Sequence, residues 1–292
     1  MAELQSLFQK AVEAIDAGDI TSLQKLLTQD SALTVMRSHS PPEGYFSHPY
    51  LLWFIAGNPV RQERLAINIC DITKLIIREV KQHAAESFRE QIDYTLGLVA
   101  TGSVPRESGV QIELMDILIN EGATVSNVIG ALAHGNKGAA QHLVNKGAEL
   151  TLAVAICLEI SSQIPLLAKE STIADRQLAL MASSFYGIRE MIQLLISYGD
   201  DVNFYLQKES GFHSHATALH QAVFSGSLEA VKILAGAGAD LTLTDKIYNG
   251  TALGWANHME AEEADEFKKR KYAEIVAFLS TQICPININT NR

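Results

Sequence analysis

The sequence predicts an all-α fold, a solenoid of about seven or eight stacked helix-turn-helix units with short or irregular arms. Three observations predict it. Two Thr-Ala-Leu openings, at Thr217 and Thr251, stand 34 residues apart, and each begins an apolar stripe of helical period. A glycine stop recurs behind a second helical stripe at Gly122, Gly147, Gly199 and Gly238. The 292 residues are 47% hydrophobic and 19% charged, the composition of a chain that folds throughout.

From the start of the chain, FQKAVEAIDAGDITSLQKLLTQDSALT reads as a helix, a turn at Gly18 and a second helix with Leu23, Leu26 and Leu27 inward. Its polar opening end suits a capping unit over about 1–34. Further helix pairs fit Pro49 to Val80 and Glu90 to Glu121, the first of the divergent units over about 48–175. Gaps between the glycine stops are 25, 52 and 39 residues. A gap of 25 leaves no room for a full hairpin arm, and 52 is twice 26, which predicts a unit without a glycine stop at about Leu152 to Glu170. The clearest repeats occupy 176–283, a short tail follows over 284–292, and the whole is read as one domain, 1–292.

Within the clearest unit each residue type has a reason. Thr217 can cap a first helix, with His220 at the third helical position able to bond back toward it. Leu219, Ala222 and Val223 share one face, and the small Ala222 lets the neighbouring unit approach. Gly226 turns the chain into a second helix carrying Leu228, Val231 and Leu234, and Gly238 ends that helix in a left-handed conformation. The alternation Leu241-Thr242-Leu243-Thr244 suits an extended arm. Such a unit cannot bury its apolar face alone and must stack.

These residues resemble the ankyrin repeat, whose unit opens Thr-Pro-Leu-His-x-Ala and closes near Gly-Ala-Asp. The resemblance is strong over 176–283 and rests on helix period and glycine stops before that. Two departures stand out: Thr-Ala-Leu replaces Thr-Pro-Leu, and an acidic insertion near Glu260 to Phe267 separates the last two helices. The segments GYFSHPYLLWFIAGNP and GFHSHATALHQAV are similar to a bacterial-type subset of ankyrin-repeat proteins, which implies a subfamily and no activity. What the family implies is recognition of another protein along one elongated face.

Composition narrows the partner. Lys plus Arg total 23 against 33 Asp plus Glu, a formal charge of −10, so phosphate backbones and anionic membranes are disfavoured. The densest basic run, Lys268 to Lys271, follows Glu262, Glu263, Asp265 and Glu266 and reads as a solvated helix face. Cys70, Cys157 and Cys284 are scattered, which suits a reducing, cytoplasmic setting and neither a disulfide framework nor a thiolate zinc site. The amphipathic start has no signal-peptide pattern. No stretch reaches the roughly 18 to 20 apolar residues of a bilayer-spanning helix. A monomer is expected, with no nucleic-acid or membrane partner.

Candidate chemistry concentrates in two long loops. Ser38 to Ser47 carries Tyr45 and Phe46, and Phe204 to His215 carries Tyr205, Phe212, His213 and His215. Aromatic side chains on such loops supply rigid contact area, or else fold back over helix ends. With Tyr248 and Trp255 these residues are the expected partner-binding set. His213 and His215, with His220 nearby and His258 one repeat on, form the histidine cluster of the chain. With Glu260 the first two could hold a divalent metal; otherwise His220 is structural and the pair bonds to adjacent arms. The loop Thr101 to Gly109 adds Arg106 and Glu107, read as a solvated pair. No G-x-S-x-G, GxxxxGK[ST] or H-E-x-x-H occurs. A binding protein without chemistry, cofactor or metal is therefore expected, with a ligand or metal site at the His213/His215 arm as the alternative.

Overall fold

The computed structural model describes residues 2–39, 46–207 and 211–283. Every regular element among them is helical, and extended pairing is limited to isolated bridges between Arg37 and Tyr50 and between Thr244 and Thr251. The protein is an all-α repeat solenoid. Its chain divides into two compact units, 1–149 and 150–292. No helix among the described residues is long and apolar enough to cross a membrane.

The first unit contains α1 (Ala2–Ala17), α2 (Ile20–Gln29), 3₁₀ turns at Ser31–Thr34 and Leu51–Ala56, α3 (Ile69–His83), α4 (Phe88–Thr101), α5 (Ser103–Glu107), α6 (Gln111–Asn120), α7 (Val128–Ala133) and α8 (Lys137–Asn145). Four pairs result: α1 with α2, the second 3₁₀ turn with α3, α4 with α6, and α7 with α8. Asp19 caps α2 by accepting from the Ser22 N–H at 2.9 Å. The pair expected over 49–80 has a 3₁₀ turn as its first member, because all six residues of LLWFIA are buried and the segment ends at once in Gly57, whose φ is +68°. A side chain at Gly57 would meet Val104 at 2.8 Å, so the chain there also passes too close for a Cβ.

The second unit contains α9 (Leu152–Cys157), α10 (Ile164–Glu170), α11 (Ile173–Phe185), α12 (Arg189–Ile196), α13 (Ala218–Phe224), α14 (Leu228–Gly236), α15 (Ala252–Glu262) and α16 (Glu266–Ile283). The first helices stack in the order α9, α11, α13, α15, and the second helices α12, α14, α16 stack behind them. Ala179, Ala182, Ala222 and Ala256 are fully buried along the first row, where small side chains let helices approach closely. Caps set the helix starts: Thr251 accepts from the Gly254 N–H at 3.1 Å and Ser227 from the Ala230 N–H at 3.3 Å. Thr172 and Asp175 form a capping box.

The unit expected at 152–170 without a glycine stop is α9 with α10. Its stop is missing for a local reason. Ser171 leaves α10 in extended conformation and the chain runs straight into the Thr172 cap, so no left-handed residue is required. Arg176 fastens this joint by donating to the Ser171 carbonyl at 2.8 Å. The acidic insertion of the final pair shortens to a turn in which Asp265 accepts from the N–H groups of Phe267 and Lys268 and so starts α16.

Candidate functional site

In the second unit, the arms before α13 and before α15 lie beside the inner ends of those two helices. Several hydrogen bonds hold them there. Gln221 donates to the His213 carbonyl at 3.1 Å, the Lys246 N–H donates to the His215 carbonyl at 2.8 Å, and the Tyr205 hydroxyl donates to the Thr244 carbonyl at 2.7 Å. His213 adopts φ +48°, a left-handed conformation uncommon outside glycine. It is anchored from below by Phe212, fully buried and 5.2 Å from the Phe185 ring, and its own ring meets Phe224 at 4.8 Å.

Asp245 organises the second arm. Its carboxylate accepts from the N–H groups of Ile247, Tyr248 and Gly250 and from the Trp255 indole Nε1–H at 3.0 Å. Burial acts to raise its pKa, but these donors together override that and hold it at about 2. His220 ties the two repeats together. Its Nδ1 lies 2.8 Å from Thr217 Oγ1, and its Nε2–H donates to the Gly250 carbonyl at 3.0 Å. Burial pushes the His220 pKa below the ordinary histidine value, so the ring is neutral and keeps this tautomer.

A hollow of about 630 Å³ opens between these arms and helices. His213, His215, Tyr248 and Trp255, four of the expected contact residues, line it. Phe224, Gly254, His258 and Met259 complete the aromatic and apolar wall along α13 and α15. Two ring pairs stand nearly at right angles, His213 to Trp255 at 5.7 Å and 89° and His215 to Tyr248 at 6.1 Å and 78°, while His215 meets Trp255 at 6.0 Å and 46°. Tyr248 is 77% exposed at the mouth, whereas His215 Nε2 is buried and has no hydrogen-bond partner.

The other expected residues lie elsewhere. Phe204 and Phe212 are 8% and 0% exposed, so both face the core and support the arm from beneath rather than offer contact surface. Tyr205 is half-buried against the neighbouring arm. Phe46 belongs to the first unit, where it packs on Phe54 at 5.2 Å and Trp53 at 6.2 Å and borders a separate hollow of about 330 Å³ with Pro59, Leu98 and Arg106. Tyr45 lies outside the described residues. Arg106 pairs with the Asn136 side chain as well as with Glu107, which makes it a link between helices rather than a solvated ion.

No group of three or more His, Cys, Asp or Glu side chains among the described residues is placed to hold a metal ion, so Glu260 does not complete a ligand set with His213 and His215. Sequence reasoning missed Phe224, Gly254, Met259 and Asp245. One signal was available: Phe185, Phe224 and His258 are repeat-equivalent positions, 39 and 34 residues apart, which place one side chain per repeat on the same inner edge. The partner of Asp245 had no such mark, since its indole donor lies ten residues on and across a turn.

Residues 108–245 match the family model of ankyrin repeats, in three copies. Among solved structures, the chain is similar to the ankyrin repeat domain of human ASB11, with 18% identity, 68% of this chain and 91% of that chain covered, and a TM-score of 0.30. No curated protein matches the chain.

Proposed function

We propose, from the premise that the chain is an ankyrin-repeat protein, that it is a non-enzymatic interaction module that seats a segment of another protein in the hollow beside Trp255. Ankyrin repeats generally mediate contacts between proteins, and the observation that carries the finer reading is the hollow itself. It gathers Trp255, Tyr248, His213 and His215 on a frame held by backbone hydrogen bonds. Aromatic side chains in a partly desolvated, preorganised recess are what binding hot spots are made of, because they bury much area and lose little rotamer freedom. Burial, with Glu113 beside it, pushes the Cys70 pKa up to about 11, and a protonated thiol is a poor nucleophile. In this reading the protein acts as a cytoplasmic monomer, and Phe204 and Phe212 brace the site.

A random peptide library displayed on phage and selected against the full chain tests the reading. Sequences should enrich on the wild type and fail on Trp255→Ala and Tyr248→Ala variants whose melting curves match it. Enrichment that survives both substitutions would sink the site, and absence of any enriched family would sink the function.

A further inference from the structure

We infer that the hollow beside Trp255 is built to take an arginine side chain presented by the partner protein; the inference rests on the reading of that hollow as a protein-binding site. Three observations converge on a planar cation. The first is the set of rings around a shared space, His213 near 90° to Trp255 and His215 at 46° to Trp255, so that faces and edges address it from several directions. A cation within about 6 Å of such ring faces is attracted by their quadrupoles, and Trp is the strongest of them.

Charge is the second. Asp245 accepts the Trp255 Nε1–H, and an anion on the indole nitrogen raises electron density on the ring face. One turn beyond His258 and Met259 on the same face of α15 comes Glu262, which is exposed. Neither Lys nor Arg lines the hollow, and the Lys246 ammonium lies 4.2 Å over the Tyr205 ring. A chain of net charge −10 adds long-range attraction for a basic segment.

The third observation is how this protein treats its own guanidinium groups. Arg37 lies over Tyr50 at 4.5 Å and pairs with Glu90; Arg61 lies over Phe54 at 4.8 Å and pairs with Asp16; Arg176 lies over Tyr198 at 5.1 Å and pairs with Asp200. In each place a ring and a carboxylate hold one arginine. Trp255 also has a carboxylate beside it, but buried Asp245 holds the indole N–H and leaves the ring to line the open hollow.

Shape and hydration then choose among cations. A lysine ammonium can donate but is compact and strongly hydrated, whereas guanidinium is flat, weakly hydrated and stacks on aromatic faces.

The test follows the Trp255 indole N–H resonance of the full chain during titration with N-acetyl-arginine methylamide and with its citrulline, lysine, trimethyl-lysine and leucine counterparts. The arginine compound should shift the Trp255 resonance and not that of Trp53, and bind about tenfold more tightly than citrulline, which keeps the shape and loses the charge. His215→Ala, which removes one ring of the lining, should weaken the arginine compound. Equal binding of citrulline, tighter binding of leucine or trimethyl-lysine, or no shift with any compound would each overturn the inference. Library peptides that need Trp255 but carry no arginine would overturn it too while leaving the protein-binding function standing; failure of the library to yield Trp255-dependent peptides removes the function itself.

Discussion

Asp245 is 1% exposed, yet it is an ionised carboxylate with three backbone donors and one indole donor. Replacing it leaves those donors facing a weaker acceptor, so Asp245→Asn should destabilise the second unit by about 2–4 kcal/mol, the range for a buried, charge-assisted network. The pH dependence has a definite sign. A folded-state pKa of about 2, below the ordinary 3.8, means that the contribution is complete above the ordinary carboxylate value and lost as pH falls through about 2. Urea unfolding of both proteins across pH should therefore show a constant gap above about pH 5 that narrows on acidification. A gap that widens toward acid would contradict the role given to Asp245. The same residue aims Trp255, so the variant should also disturb the hollow.

Three of the four helix pairs of the second unit turn from first to second helix through a residue with positive φ. Gly226 does so at +68° and Gly187 at +64°, but in the α9–α10 pair the position falls to Glu159 at +60°. A side chain in this region costs about 1–2 kcal/mol, while glycine costs about 0.5–1 kcal/mol in unfolded-state entropy. Glu159→Gly should thus raise stability by about 0.5 kcal/mol, and Gly226→Ala should lower it by about 1–2 kcal/mol even though Tyr272, at 3.8 Å, leaves room for a Cβ. Thermal melts of the two variants check the pair of opposite signs. Matching losses in both would mean that the contacts of Glu159, and not its backbone, decide the matter. Helices α11, α13 and α15 align through their alanines, and this alignment carries Phe224 and His258 to one edge.

The division at residue 149 gives the second unit its own four helix pairs and its own core, with Ala153, Leu180, Ile192, Leu219, Leu234 and Ile275 at most 5% exposed. Stacked repeats draw their stability from intrinsic terms and nearest-neighbour interfaces, so a self-contained set of pairs has what folding requires. Residues 150–283 expressed alone should be helical by circular dichroism, unfold in one urea transition and bind the arginine probe as the full chain does. A fragment without cooperative unfolding would show that residues 1–149 supply part of its stability.

Period, caps and glycine stops are local properties, and they were enough to read several helix starts: α9 and α10 fall within 152–170, and α13 and α15 begin directly behind Thr217 and Thr251. The candidate site was legible only in part. His213, His215, Tyr248 and Trp255 were marked because aromatic and histidine residues crowd two loops, but residue type does not say which way a ring faces. Phe212 and Phe204 sit in the same arm and are buried, and the left-handed turn at His213 separates Phe212 in the core from the ring that lines the hollow. Phe224, Met259 and Asp245 enter the site through stacking of α13 on α15 and through a carboxylate that bridges an arm to a helix. Both depend on the packed distance between repeats, which local spacing does not encode.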